Sequence, residues 1–569
     1  MKLSVFARFA IVARFAIATL SLLVLVASLF GQSERGTITG TVTDTSGAAV
    51  PQAKITATET GTNVAVTVQS NETGDYTLPN LPIGLYSVRI EKEGFTSSVR
   101  SGVKLDASAT ARADASLAVG STATTVEVTA TAAQLQASDA KTSSTVTNRM
   151  VDELPLVVGG ALRSPFDLAS ITPESKNIGG DNGFILGGGQ AASYGTTLDG
   201  VSTNTSRALS MSWVSSNAPS LEAITEFTVD TNGFKAEYGH AGGGVMTFSS
   251  KSGTNQVHGS AYEFLRNNDF DANRFFSNAA GVPRAIYKQS DFGGSVGGPI
   301  WIPKIHHGKD KSFFFFAYEG FRNRVGATAF STTVPTPEMY KGDFSKWVNA
   351  AGQQIPIYDP TTQAVANNGT VTRTPFANNQ IPQNLIDASA TKAFGVFASG
   401  PGGQLAPNNG AAPGTLGYVA NNFLVTKGSQ VNPINKWSIK GDHIFSVKDR
   451  ISGYYGYDRE KTVPGADGPS TLPGYYTNYN DLTQYSDVFR FSWDHTFGAT
   501  KFNHFYAGGN NWRQNHNPPQ EYIGNWKDKF CLPNVPDCNQ NLVNFTFSNG
   551  YGGWGGQANN GSENTVYAV

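Results

Sequence analysis

Charge is scarce in this chain: only 15% of its 569 residues are Asp, Glu, Lys or Arg, against about 25% in an ordinary globular domain. The 42 basic and 43 acidic residues nearly cancel, and without a basic excess no nucleic-acid partner is expected. Long apolar runs are also missing. Beyond the first 31 residues no uncharged stretch is long enough for a membrane helix, so a chain of this kind sits in a membrane only as a barrel. Cysteine occurs twice, and the His-Glu spacing of a zinc protease, H-E-x-x-H, is absent. Glycine is abundant instead, with 62 residues where the usual share is about 7%. The length points to several domains, since one core does not grow to this size.

The amino terminus reads as a secretory signal over residues 1–31. Lys2, Arg8 and Arg14 give a positive start, and Phe15 to Phe30 is uncharged. Val26-Ala27-Ser28 offers a small-residue cleavage site, and a second stands after Gly31. Export to an oxidising compartment makes a disulfide between Cys531 and Cys538 the simplest reading of that proline-stiffened, turn-rich segment. A metal site there would need ligands that the neighbourhood does not offer, and none is expected.

Residues 36–118 read as a small β-sandwich. Short β-branched runs at 36–43, 53–58, 64–68, 75–78 and 85–90 are separated by Gly, Pro, Asn and Asp. Thr39-Gly-Thr-Val-Thr-Asp44, Gly47-Ala-Ala-Val-Pro51, Gly74-Asp-Tyr-Thr-Leu78, Leu81-Pro-Ile-Gly-Leu-Tyr86 and Gly94-Phe95 resemble the carboxypeptidase regulatory-like domain. The resemblance implies a transthyretin-like or carbohydrate-binding-like sandwich that accompanies another domain and is not itself catalytic.

Residues 119–144 shift to Ala, Ser and Thr, as a linker does. Within them Thr124, Thr125, Val126, Glu127, Val128, Thr129 and Ala130 resemble a TonB box, the periplasmic peptide that TonB-dependent receptors offer to TonB. An unpaired extended segment can join a partner's sheet edge through backbone hydrogen bonds. Residues 145–250 carry Val151-Asp-Glu-Leu-Pro155, Thr196-Thr-Leu-Asp-Gly-Val201, Leu221 to Val229 and Tyr238 to Met246, and are similar in order and spacing to the plug of those receptors. The resemblance implies an α+β plug. Leu198, Asp199 and Gly200 form its most recognisable motif, Asp199 most simply being a turn residue. Gly242, Gly243 and Gly244 are placed to let backbone pass closely, or turn with positive φ, where plug hands over to wall.

Residues 251–569 alternate apolar and polar. Phe489, Phe491 and Trp493 fall on one side of a strand while Arg490, Ser492 and Asp494 fall on the other, which is the pattern of a sheet between two environments. Strands are expected near 259–266, 291–301, 312–322, 437–445, 451–458, 485–497 and 501–510. Their connections run long, short, very long, short, long, short. Short inner turns and long outer loops characterise outer-membrane barrels. Lys251 to Arg266, Asp291 to Ile300 and Asp310 to Gly320 resemble the opening barrel strands of Oar-like TonB-dependent transporters. The segment from about 323 to 435 lies outside in this topology as a place to bind and gate, with about half of it open to having no fixed structure.

Three other patterns are set aside. Gly293-Gly-Ser-Val-Gly297 matches G-x-S-x-G, but a Pro-containing continuation cannot be the helix that a nucleophile elbow requires. His306 and His307 with Lys304, Lys309 and Lys311 read as a solvated turn. Phe313 to Phe316 read as part of an aromatic girdle, two of the rings facing the lumen or plug.

The fold class expected is mainly β: signal peptide, sandwich, linker, α+β plug, then the first part of a transmembrane antiparallel barrel. The resemblance implies a non-enzymatic receptor in the outer membrane of a Gram-negative-type bacterium. TonB and its inner-membrane energising proteins, outer-membrane lipid and an external ligand would be its partners, and no cofactor is implied. Siderophore, oligosaccharide and peptide are all compatible as ligand. An adhesin or carbohydrate-binding protein anchored by the barrel is the alternative. About seven wall strands are visible, against about twenty-two in this transporter class, so the expectation is a C-terminally truncated fragment.

Overall fold

The computed structural model describes residues 35–120, 125–129, 142–147, 163–177, 184–203, 219–234, 241–326, 328–462, 481–517 and 562–568, apart from isolated positions within those spans, together with a few single residues outside them. The signal-peptide reading and the Cys531–Cys538 reading fall outside the described residues.

The sandwich comprises β1 (Gly36–Asp44), β2 (Lys54–Glu59), β3 (Ala65–Gln69), β4 (Asp75–Leu81), β5 (Gly84–Glu91), β6 (Ser97–Leu105), β7 (Thr110–Arg112) and β8 (Ala115–Leu117). One sheet runs β4-β1-β7 with β8 also on β1, and the other runs β3-β2-β5-β6 before taking a further strand, β9 (Thr125–Thr129). Alternation explains the pairing of the two sheets. Ile38 and Val42 from one and Ile55, Val88 and Ile90 from the other are buried in one shared core. Burying each such side chain contributes about 1.5–3 kcal/mol. The five expected strands are present. Strands β6 to β8 were not expected, and β6 is polar enough at Ser97-Ser-Val-Arg-Ser-Gly102 to read as loop.

The plug sheet has the order β10-β15-β16-β13-β14, from β10 (Thr142–Thr147), β13 (Tyr194–Leu198), β14 (Val201–Ser202), β15 (Ile224–Asn232) and β16 (Gly244–Ser250). A separate pair, β11 (Ser175–Asn177) and β12 (Phe184–Leu186), lies beside it. The linker therefore gives way to strand in two places: 125–129 joins the sandwich, and the plug sheet begins at Thr142. Every residue of β16 is buried. Leu198, Phe227, Met246 and Phe248 form the plug core, which continues into the wall through Tyr454 and Val488.

Among the described residues the wall is one eight-stranded antiparallel sheet, β17 (His258–Asn267), β18 (Tyr287–Pro299), β21 (Ser312–Val325), β26 (Gln430–Ser446), β27 (Asp449–Thr462), β28 (Asp481–Gly498), β29 (Lys501–Asn517) and β30 (Ser562–Ala568). A small hairpin, β19 (Trp301–Ile302) with β20 (His306–His307), decorates the turn after β18 and contains the histidine pair. Seven strands lie where alternation put them, but several run longer at their outer ends. A bilayer needs only about 9–11 strand residues, whereas β28 has 18. Beyond the lipid belt both faces meet water, so the hydrogen-bond ladder continues after the alternation fades. Strand β30 was not expected.

The long outer segment is ordered into a cap. It contains the pair β22 (Thr328–Thr332) with β25 (Phe423–Lys427), the two-residue strands β23 (Ala364–Val365) and β24 (Val371–Thr372), and a helix at Ala388–Ala398 begun by the Asp387 side chain accepting from Ser389 N. Val334, Phe397, Leu405 and Val425 bury together with Leu472 and Tyr476 of the next outer connection. Asn422 ties the cap's start to its end by bonding both the N–H and C=O of Val334. Composition suggested that half of this segment lacks fixed structure. Its apolar residues are sparse but meet across about 90 residues of chain, which a local reading cannot see.

Candidate functional site

The inner face of the wall is polar and holds the plug. Arg163 of the plug donates to Asp291 (3.2 Å) on β18 and to Glu319 (3.5 Å) on β21. Its guanidinium also lies 4.2 Å from the Tyr262 ring centre and 4.8 Å from that of Phe264. Both carboxylates and the arginine are almost completely buried. Burial works against the Arg163 charge, yet Glu319, Tyr262 and Asp291 together hold it above its ordinary pKa. Removing one partner of such a group leaves an uncompensated buried charge.

A second attachment involves the motif Leu198, Asp199 and Gly200. Asp199 and Gly200 have φ of +47° and +79°, the geometry of a two-residue hairpin turn between β13 and β14. Asp199 also accepts from the backbone N–H of Ser250 (2.9 Å) and from its hydroxyl, closing the turn onto the last plug strand. The wall reaches the same place: Lys440 donates to Ser250 Oγ (2.8 Å) and stands 3.8 Å from Asp199, and Arg490 donates to Leu198 O (2.8 Å). Asp199 is thus both turn residue and wall contact.

At the hand-over, a Cβ on Gly243 would come within 2.4 Å of Leu186 O, so backbone passes backbone there. Gly244 begins β16 with φ +154°, and Gly242 sits next to Ser193, whose C=O accepts its N–H at 2.7 Å. Ser295, from the rejected G-x-S-x-G match, is mid-strand in β18 and bonds Ser260 (2.8 Å), with Glu222 of the plug at 3.4 Å. Of the four consecutive rings, Phe313 and Phe315 are buried on the inner side, and Phe316 is exposed on the other.

The sandwich is seated at the short-turn end of the wall. Arg35 pairs with Asp494 (2.9 Å) on β28, Asn80 donates to the same carboxylate (3.0 Å), and Asn63 donates to Asp310 (3.2 Å). Toward the plug, Ala107 N donates to Glu226 Oε1 on β15 (2.6 Å), and Ser108 and Tyr238 hydroxyls lie 2.7 Å apart. Burial, helped by the Asp106 charge, pushes the Glu226 carboxyl up to about 7. A cavity of about 280 Å³ remains where the three parts meet, lined among others by Arg35, Glu59, Asn80, Asp199, Lys440 and Arg490.

Of the segment that resembles a TonB box, Thr125, Val126, Glu127, Val128 and Thr129 are not unpaired. They form β9, parallel to β6, with Ser97 opposite Thr125 and Ser101 opposite Thr129. Thr124 and Ala130 fall outside the described residues. A β-branched run on a short tether is drawn to a nearby open edge, which explains why the linker composition misled. Arg163, Glu226, Glu319 and Lys440 were missed as site residues. Their one sequence signal is charge on the inward register of apolar-outward strands, visible for Glu319 and Lys440 but not for the plug residues.

Inward charge, outward aromatics and a lumen-side sheet define an outer-membrane β-barrel protein with a plug. Residues 249–569, more than half the chain, match the outer membrane beta barrel domain family, and the chain belongs to it. Residues 37–118 match the carboxypeptidase regulatory-like domain. The TonB-dependent transporter Oar of Myxococcus xanthus is 29% identical over 300 residues, which are 51% of this chain and 27% of that protein. The chain thus spans about a quarter of that relative's length. Among solved structures, the outer membrane transporter YddB of Escherichia coli aligns with TM-score 0.39 and 11% identity over 75% of this chain and 44% of YddB. A ferric enterobactin receptor of Pseudomonas aeruginosa aligns with TM-score 0.36 and 10% identity over 69% and 43%. The protein is mainly β and is located in the outer membrane.

Proposed function

We propose that this chain is the plug-bearing part of a TonB-dependent receptor that takes up an external ligand across the outer membrane without chemistry of its own. The observation that carries this reading is the polar plug–wall joint, in which Arg163 is held between Asp291 and Glu319. A plug held by exchangeable ion pairs, with apolar contact to the wall confined to a few residues such as Tyr454 and Val488, can be displaced and returned. The cap over 328–427 supplies the outer binding surface, and the segment 125–129 supplies the TonB contact. Ligand binding signals across the wall only by favouring one of two plug arrangements.

The test is titration of the purified chain in detergent with the periplasmic domain of TonB. Binding is expected, with at least a tenfold loss in Val126→Pro, because proline removes a backbone donor from the pairing strand. No binding by the unaltered chain, or equal binding by the proline variant, overturns the reading.

A further inference from the structure

We propose that the β6 edge of the sandwich is a binding site for the chain's own coupling segment, which the segment must leave before TonB can pair with the backbone groups it turns toward β6. The proposal rests on the TonB reading above and adds a site to it. Five consecutive residues of the segment are in parallel register with Ser97 to Ser101. A parallel pair commits alternate N–H and C=O groups of each strand to its neighbour. These are the groups that a partner adding as a strand would use on that side.

Two features make this edge a site of some strength. The tether is short: Thr96 N donates to Ala118 O (2.8 Å) and Gly120 N donates to Gly94 O (3.0 Å). The segment's start is thereby fastened beside the start of β6, and only four residues separate Gly120 from Thr125. So short a separation along the chain keeps the segment at a high effective concentration beside β6, and even a weak strand pairing is populated. The second feature is the far end of β6. The strand ends at Leu105, and two residues later Ala107 donates to Glu226 of the plug. The strand that holds the coupling segment therefore runs directly into the seat on plug strand β15. A plug movement that shifts Glu226 pulls on β6, so retention of the segment depends on plug arrangement through one continuous piece of backbone.

A partner that binds only the released segment sees its affinity reduced by the fraction released. The test replaces Val99 and Glu127, which face each other in the register, by cysteine in the full chain, with Glu127→Cys alone as control. Affinity for the periplasmic domain of TonB is measured before and after reduction, and the cross-link is verified by mass spectrometry. The cross-linked chain is expected to bind at least tenfold more weakly than the control and to recover on reduction. Unchanged affinity in the verified cross-link, with binding still lost in Val126→Pro, overturns the β6 site and leaves the receptor reading intact. Insensitivity to Val126→Pro overturns the receptor reading's coupling segment, and this proposal with it.

Discussion

In the sandwich, Ile55, Val88 and Ile90 point inward and are wholly buried, while the outward residues between them are Thr, Ser, Arg and Lys. In the wall the inward residues include Lys436, Asp442, Asp458 and Arg490, and the outward ones are Trp437, Ile439, Phe489 and Phe491. Both regions use the same two-residue period. The sandwich keeps water outside and hydrocarbon-like packing within, and the wall reverses this because lipid surrounds it. Polarity of the two faces, not alternation itself, distinguishes a soluble sheet from a membrane sheet. The reversal has a further effect. Where the wall packs on the plug, buried charge must be paired: Lys436 with Asp458 at 3.0 Å, Arg450 with Asp442 at 2.9 Å, Arg163 with two carboxylates.

The strongest way to break this comparison is at the most buried charge. Arg163→Ala leaves Asp291 and Glu319 facing each other without a cation, and the plug–wall joint is expected to lose about 3–5 kcal/mol. Urea unfolding in detergent, read by proteolytic release of the plug, checks it, and adding Asp291→Asn with Glu319→Gln restores part of the loss. Next in size is the outward face. Phe491→Arg puts a cation where lipid lies and is expected to cost about 2–4 kcal/mol, measured by folding equilibrium into vesicles. The polar swap Arg490→Leu, one residue away, would fail to match that effect if facing did not matter.

The smallest effect lies at the sandwich seat. Glu226 has its folded pKa raised from 4.5 to about 7. Its contribution to seating is therefore fully present below about pH 4.5 and is lost as pH rises through about 7, a change on the order of 1–3 kcal/mol. Glu226→Gln can still accept from Ala107 N and is expected to flatten this dependence. Hydrogen exchange at residues 105–110 between pH 5 and 8 reads it, and a variant with the original slope removes Glu226 as the cause.

Most of the architecture was legible in sequence because it is local. Phe489, Phe491 and Trp493 announce a wall strand within five residues, and Asp199-Gly200 announces its hairpin in two. What escaped depends on distant encounters. Arg163 finds Asp291 and Glu319 across 128 and 156 positions, and β7 and β8 are three-residue strands that exist only because β1 lies alongside. The Thr125–Thr129 run has strand propensity in plain view, but its neighbour could be a partner protein or this chain's own β6, and propensity does not choose between them.

The paired charges between plug and wall also set how the joint responds to a pull. An oil-like contact resists separation over its whole area and then fails at once. Here the apolar contact is small, at Tyr454 and Val488, and the discrete ion pairs and hydrogen bonds of Arg163, Lys440 and Arg490 can yield one link at a time, each broken bond taking up water as it opens. The joint's strength under load then depends on pulling rate and direction and on ionic strength. The polarity inversion that lets the sheet stand in lipid thus makes the lumen a lubricated bearing for the element it holds.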